Sequence, residues 1–127
     1  MTTTQGEPLL ERWRELESAH AATREALERA LQREHQLSLS EYEVLQRLAA
    51  ETSSQCRMQD LCTDSELSQS ALSRIVGRLV GAGFVSRGVC DHDRRGVWAE
   101  LTEDGKVAQT KAKPTYLKVL GDTLTAA

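Results

Sequence analysis

Aromatic residues are scarce in this chain: two Trp, two Tyr and one Phe make up 4% of 127 positions, and only two prolines interrupt it. With 39% apolar and 28% charged residues, its length is that of about one domain around a single modest core. No run approaches the roughly 20 apolar residues of a membrane span. The opening stretch from Met1 to Pro8 lacks the basic and then apolar segments of a secretory signal, so a cytoplasmic protein without membrane contact is expected. The three cysteines, Cys56, Cys62 and Cys90, are odd in number and form no C-x-x-C pair, so neither a disulfide framework nor a zinc ribbon is indicated. His20, His35 and His92 are far apart, and none joins a dense cluster of metal-ligating residues, so no metal or other cofactor is expected. Ser-His-Asp patterns, paired-carboxylate sites and glycine-rich phosphate loops are lacking too, which argues against an enzyme. A thiol peroxidase-like protein using Cys90 is the one enzymatic alternative.

Positive charge is also short overall, with 16 basic residues against 19 acidic ones. It is not evenly spread. Residues 1–51 hold six bases against ten acids, and residues 52–66 one against three. Residues 67–96 reverse the balance, with Arg74, Arg78, Arg87, Arg94 and Arg95 against Asp91 and Asp93. A whole-chain sum therefore conceals a local basic patch.

Helical periodicity dominates. From Leu9 to about Leu31, the stripe residues Leu10, Trp13, Leu16, His20, Ala21, Leu27, Ala30 and Leu31 fall mostly three and four apart, which predicts one long amphipathic helix with stripe to spare for a second subunit. Ser40 followed by Glu43 predicts a capping box, with Leu39 and Val44 as its staple and Val44, Leu45, Leu48 and Ala49 as a buried stripe. After a polar break at 52–55, Met58, Leu61 and Cys62 predict a short third helix over about 57–63. Ser68 is a good N-cap for a fourth, which buries Leu72, Ile75, Val76, Leu79 and Val80 and ends at Gly81-Ala82-Gly83. Two β-rich stretches, 84–90 and 96–101, flank a charged tip and predict a two-stranded hairpin. Thr102 caps a last helix, in which Pro114 predicts a kink or break.

Helix, short helix, tight turn, helix and hairpin is the order of a winged helix-turn-helix, so the expected fold is mainly α with a small β-hairpin wing. The fourth helix sets Ser68, Gln69, Ser70 and Ser73 opposite its buried stripe, short polar groups suited to base edges, with Arg74 and Arg78 one turn apart for guanine or phosphate. At the hairpin tip Arg94 and Arg95 suit the narrow minor groove, and Asp93 is placed to orient Arg95.

The stretch from Leu67 to Leu79, Gly83-Phe84-Val85-Ser86-Arg87, and the wing pattern Asp93, Arg95, Leu101-Thr102 and Gly105 resemble the MarR family of transcriptional regulators. The resemblance is strong from about Leu37 to Gly105 and weaker in both terminal helices. It implies one domain over 1–127, with a DNA-binding lobe over about 37–105 and dimerisation helices over about 7–35 and 103–127. It further implies a homodimer on a pseudo-palindromic double-stranded operator, a repressor released by a ligand or by oxidation. Ser68, Gln69, Ser70, Ser73, Arg74 and Arg78 would contact DNA, Arg94 and Arg95 would serve the wing, and Asp93 would brace Arg95. Three departures stand out: Ser65-Glu66 replaces an apolar residue and a glycine before the fourth helix, Gly77 stands mid-helix where an acid is common, and Ala127 follows soon after Leu124.

For the signal, the resemblance implies a small-molecule pocket between the first two helices and the winged lobe, for which Trp13, His20, Arg24 and Tyr42 are candidate lining, while Trp13 and Tyr42 read equally well as core or interface aromatics. Redox sensing would use Cys90, near Arg87, Arg94 and His92, or Cys56, read as exposed at a loop edge, while Cys62 is read as core. The alternative from another class is a winged-helix protein-interaction module that has lost DNA binding.

Overall fold

The computed structural model describes residues 2–89 and 97–125. Helix α1 (Thr2–His35) is longer than its apolar pattern, extending through Pro8 in its first turns. Residues 7–18 are exposed, whereas Thr23, Leu27, Ala30 and Leu31 are buried against α2 (Leu39–Ala50) and α5 (Glu103–Thr125).

Helix α2 starts two residues before the expected point. Ser38, not Ser40, is its N-cap: the Ser38 hydroxyl accepts from the Glu41 N–H at 3.0 Å, and the Glu41 carboxylate accepts from the Ser38 N–H at 2.7 Å. Both serines have glutamate three residues on; the earlier start sets Leu37 and Tyr42, both buried, as the residues flanking the cap. It also lets the Leu39 N–H donate to Glu28 of α1 at 2.9 Å. Val44, Leu45 and Leu48 are buried as expected, but Ala49 is exposed.

The polar break is shorter than predicted, because Gln55–Arg57 forms strand β1 before α3 (Met58–Asp64). β2 (Val85–Val89) and β3 (Val97–Leu101) pair antiparallel as expected, and β1 adds to the other edge of β3, giving the order β1-β3-β2. Cys56 and Arg87 both face Ala99 in register from opposite sides. Three residues are too few to display alternation, so this third strand exists only through its partner.

Helix α4 (Gln69–Gly81) is capped by Ser68, whose hydroxyl accepts from the Ala71 N–H at 3.2 Å. Leu72, Ile75, Val76 and Leu79 are buried, while Val80, in the last turn, is 39% exposed. Gly83, at φ +82°, closes the helix: its N–H donates to the Val80 carbonyl at 3.0 Å and the Phe84 N–H to that of Leu79 at 2.9 Å. The core joins these residues to Leu31, Tyr42, Leu45, Leu48, Val85, Ala99 and Leu101.

Helix α5 runs through Pro114 without the predicted break. Pro114 and Thr110, whose carbonyl loses its donor there, are both exposed, so water can satisfy that carbonyl. The following turn is also anchored: the His35 Nε2 and the Thr115 hydroxyl are 2.8 Å apart, and Tyr116 stacks on Tyr42 with ring centroids 4.7 Å apart.

Candidate nucleic-acid interface

Helix α4 buries one face and presents the other. Gln69, Ser70, Ser73, Arg74, Gly77 and Arg78 are all exposed, with Ser68 at the helix start. The Ser68 hydroxyl is engaged as the cap and lies 3.3 Å from that of Ser70. Arg74 and Arg78 have no carboxylate partner among the described residues, unlike Arg24, Arg29, Arg47 and Lys106, which each pair with an acid. The face thus offers hydroxyls and an amide at the helix N-terminus and uncompensated guanidinium charge one turn on. Donors and acceptors of this kind read base edges, and such cations hold phosphates.

Sequence reasoning passed over Arg87. Strand alternation sets it on the same face as buried Val85, toward α4, and its Nη2 donates to the Ser73 carbonyl at 2.6 Å. Its signals in the sequence were its place in the basic window and at the end of the Gly83-Phe84-Val85-Ser86-Arg87 stretch. Asp93, Arg94, Arg95 and Cys90 lie outside the described residues.

A cleft of about 720 Å³ lies between α1, α2, α3 and the turn before α4. Of the four residues expected to line a pocket, it brings together His20 and Arg24. Trp13, two turns earlier on α1, is 59% exposed and outside the cleft, and Tyr42 is fully buried in the core, turned toward Tyr116. Burial raises the Tyr42 phenol above its ordinary pKa, as it does for Tyr116, where nearby Glu43 adds to the shift. Arg24 pairs with Glu43 at 3.3 Å across the cleft.

On the far wall Arg47 of α2 reaches Asp64 at the end of α3, at 2.6 Å through Nη2 and 3.1 Å through Nε, and also pairs with Glu51. These hydrogen bonds to Glu51 and Asp64 raise its pKa further and keep it charged. Asp64, Ser65, Glu66 and Leu67 complete the cleft, so its floor is the segment leading directly into α4. No sequence pattern marks Arg47 and Asp64, which are far apart along the chain.

The exposed reading of Cys56 is overturned. Its position in β1 opposite Ala99 leaves it 5% exposed, and burial pushes the thiol pKa up, with Arg47 opposing the shift. A neutral, enclosed thiol is a poor nucleophile. Cys62 is half-buried, its thiol 3.8 Å from the Leu67 carbonyl. Among the described residues no group of three or more His, Cys, Asp or Glu is arranged to hold a metal, and no helix is long and apolar enough to cross a membrane.

A profile of the MarR family matches residues 35–96. The chain matches no curated protein. Among solved structures it is similar to AbsC, a MarR family transcriptional regulator from Streptomyces coelicolor, at 31% identity over 91% of this chain and 77% of that one, with a TM-score of 0.84. It is similar to a second MarR family transcriptional regulator from Streptomyces coelicolor, solved in complex with DNA, at 28% identity over 92% of this chain and 73% of that one, with a TM-score of 0.85. Apo MarR from E. coli shares the fold at 19% identity, covering 90% of this chain and 83% of that one, with a TM-score of 0.77. On this combination of winged lobe, long terminal helices and sequence match, the chain belongs to the MarR family.

Proposed function

We propose that this chain is a sequence-specific, double-stranded-DNA-binding transcriptional regulator that acts as a homodimeric repressor on a pseudo-palindromic operator. The observation that carries this reading is the exposed face of α4, where Ser70, Ser73 and Gln69 adjoin Arg74 and Arg78, two cations with no carboxylate partner among the described residues. That a relative 28% identical binds DNA supports it. In this reading residues of about 37–105 form the DNA-binding lobe, with Arg94 and Arg95 entering the minor groove and Asp93 bracing Arg95. The terminal helices, about 7–35 and 103–127, form the dimer. Leu9, Leu10, Trp13 and Leu16 of α1, between 54% and 67% exposed, and Val107, Leu117 and Leu124 of α5 supply apolar surface for it.

The mechanism is geometric. A two-fold dimer holds two copies of α4 about 34 Å apart, one turn of DNA. A small-molecule effector in the cleft contacts Asp64 to Leu67 and so acts on the segment that sets the direction of α4. Selection from a pool of random duplexes tests the reading. Enrichment of a two-fold symmetric sequence with half-sites about 10 bp apart supports it; recovery of no preferred sequence by folded protein counts against it.

A further inference from the structure

We propose that Arg87 is a phosphate-contacting residue of the DNA interface, fixed in advance by the recognition helix itself. This rests on the reading of α4 as the DNA-facing helix and extends it to a residue outside both that helix and the wing tip. Arg87 is exposed, and its Nη2 donates to the main-chain carbonyl of Ser73 at 2.6 Å. The same nitrogen is 3.6 Å from where a Cβ on Gly77 would stand. The guanidinium therefore lies across α4 at the level of Gly77, flanked in sequence by Arg74 and Arg78.

A guanidinium carries five N–H donors in a rigid planar fork and does not lose its charge at neutral pH. The Ser73 carbonyl takes one of them and neutralises nothing, and Arg87 has no carboxylate partner among the described residues. Its remaining donors and full charge face solvent on the surface shared with Arg74 and Arg78. An arginine already held in one orientation loses little conformational freedom on meeting a phosphate, whereas a free one must be ordered. The arrangement thus suits a fixed anion contact beside the helix, one that adds affinity without base discrimination.

The experiment measures binding of labelled duplex DNA of about three turns, ~30 bp, against salt concentration for the wild type, Arg87→Gln, Arg87→Lys and Arg78→Ala, with thermal melts to establish folding. Arg87→Gln is expected to bind about tenfold or more weakly and to lower the slope of log affinity against log salt by about 1 per subunit. Arg87→Lys retains the charge, so it restores most of the slope. A wild-type slope in Arg87→Gln, with Arg78→Ala reduced, overturns this proposal alone and leaves Arg87 as a strut between β2 and α4. A flat salt response in the wild type overturns the reading of the interface on which it rests.

Discussion

The main-chain carbonyl of Phe84 occupies the space where a side chain on Gly105 would go. A Cβ there would overlap the Phe84 oxygen and come within 2.9 Å of its carbon and 2.8 Å of Leu101 Cδ1. Around this contact Thr102 donates its N–H to the Phe84 carbonyl at 3.0 Å and its hydroxyl to that of Gly83 at 2.6 Å, while the hydroxyl accepts from the Gly105 N–H at 3.0 Å. The Leu-Thr-x-x-Gly pattern is thereby explained: it joins the turn that ends α4 to the first turn of α5.

Gly105→Ala is expected to destabilise the fold by about 2 kcal/mol or more, since overpacking against backbone exceeds the usual gain of alanine in a helix. Urea unfolding monitored by circular dichroism reads this as a lower midpoint. A midpoint equal to the wild type contradicts the close approach.

Gly77→Ala is the contrasting case. Only Arg87 Nη2, at 3.6 Å, lies near the new methyl group, which is ordinary contact distance. The substitution should raise stability by about 0.5–1 kcal/mol through helix propensity. The same unfolding assay checks the sign, and destabilisation would mean that the space over α4 is tighter than described.

Thr102→Val removes a hydroxyl that makes two hydrogen bonds while keeping the shape, and is expected to cost about 1–2 kcal/mol. Thr102→Ser keeps the hydroxyl and should recover most of it. Equal stability of the valine and serine variants contradicts the capping role.

Stability should decline at alkaline pH. Burial raises the pKa of the Cys56 thiol and of the Tyr42 and Tyr116 phenols in the folded chain. The unfolded chain then ionises first, so it binds fewer protons than the folded one and stability falls as pH rises. The decline starts above 9.0, the ordinary value for the thiol, and steepens above 10.0, that of the phenols. Below that range the contribution of these groups is fully present. Unfolding free energy measured across the range checks this, and Cys56→Ala should remove the first part of the decline.

Most helices were legible because their buried faces repeat at helical spacing, as Leu72, Ile75, Val76 and Leu79 do in α4. The start of α2 was misjudged because Ser38 and Ser40 offer the same local signal, and both flanking pairs, Leu37 with Tyr42 and Leu39 with Val44, are buried, so apolar pattern does not separate them. Strand β1 left no pattern of its own, which is also why Cys56 read as exposed. The polar face of α4 was visible in its residue types, but Arg87 joins it through a contact across 14 positions that periodicity does not encode. Of the two readings open for Tyr42, pocket lining and core aromatic, the structure supports the second, its ring packing on Tyr116 from α5.

In the proposed function the exposed face of α4 binds DNA. The most direct test is a fluorescence-anisotropy titration of the protein against a duplex from upstream of its own gene over a salt series, for the wild type and the double variant Arg74→Ala, Arg78→Ala. Affinity that falls steeply with salt, with a slope lowered by about 2 per subunit in the variant, is the predicted result. A flat response from folded protein, or identical slopes for the two, would contradict it.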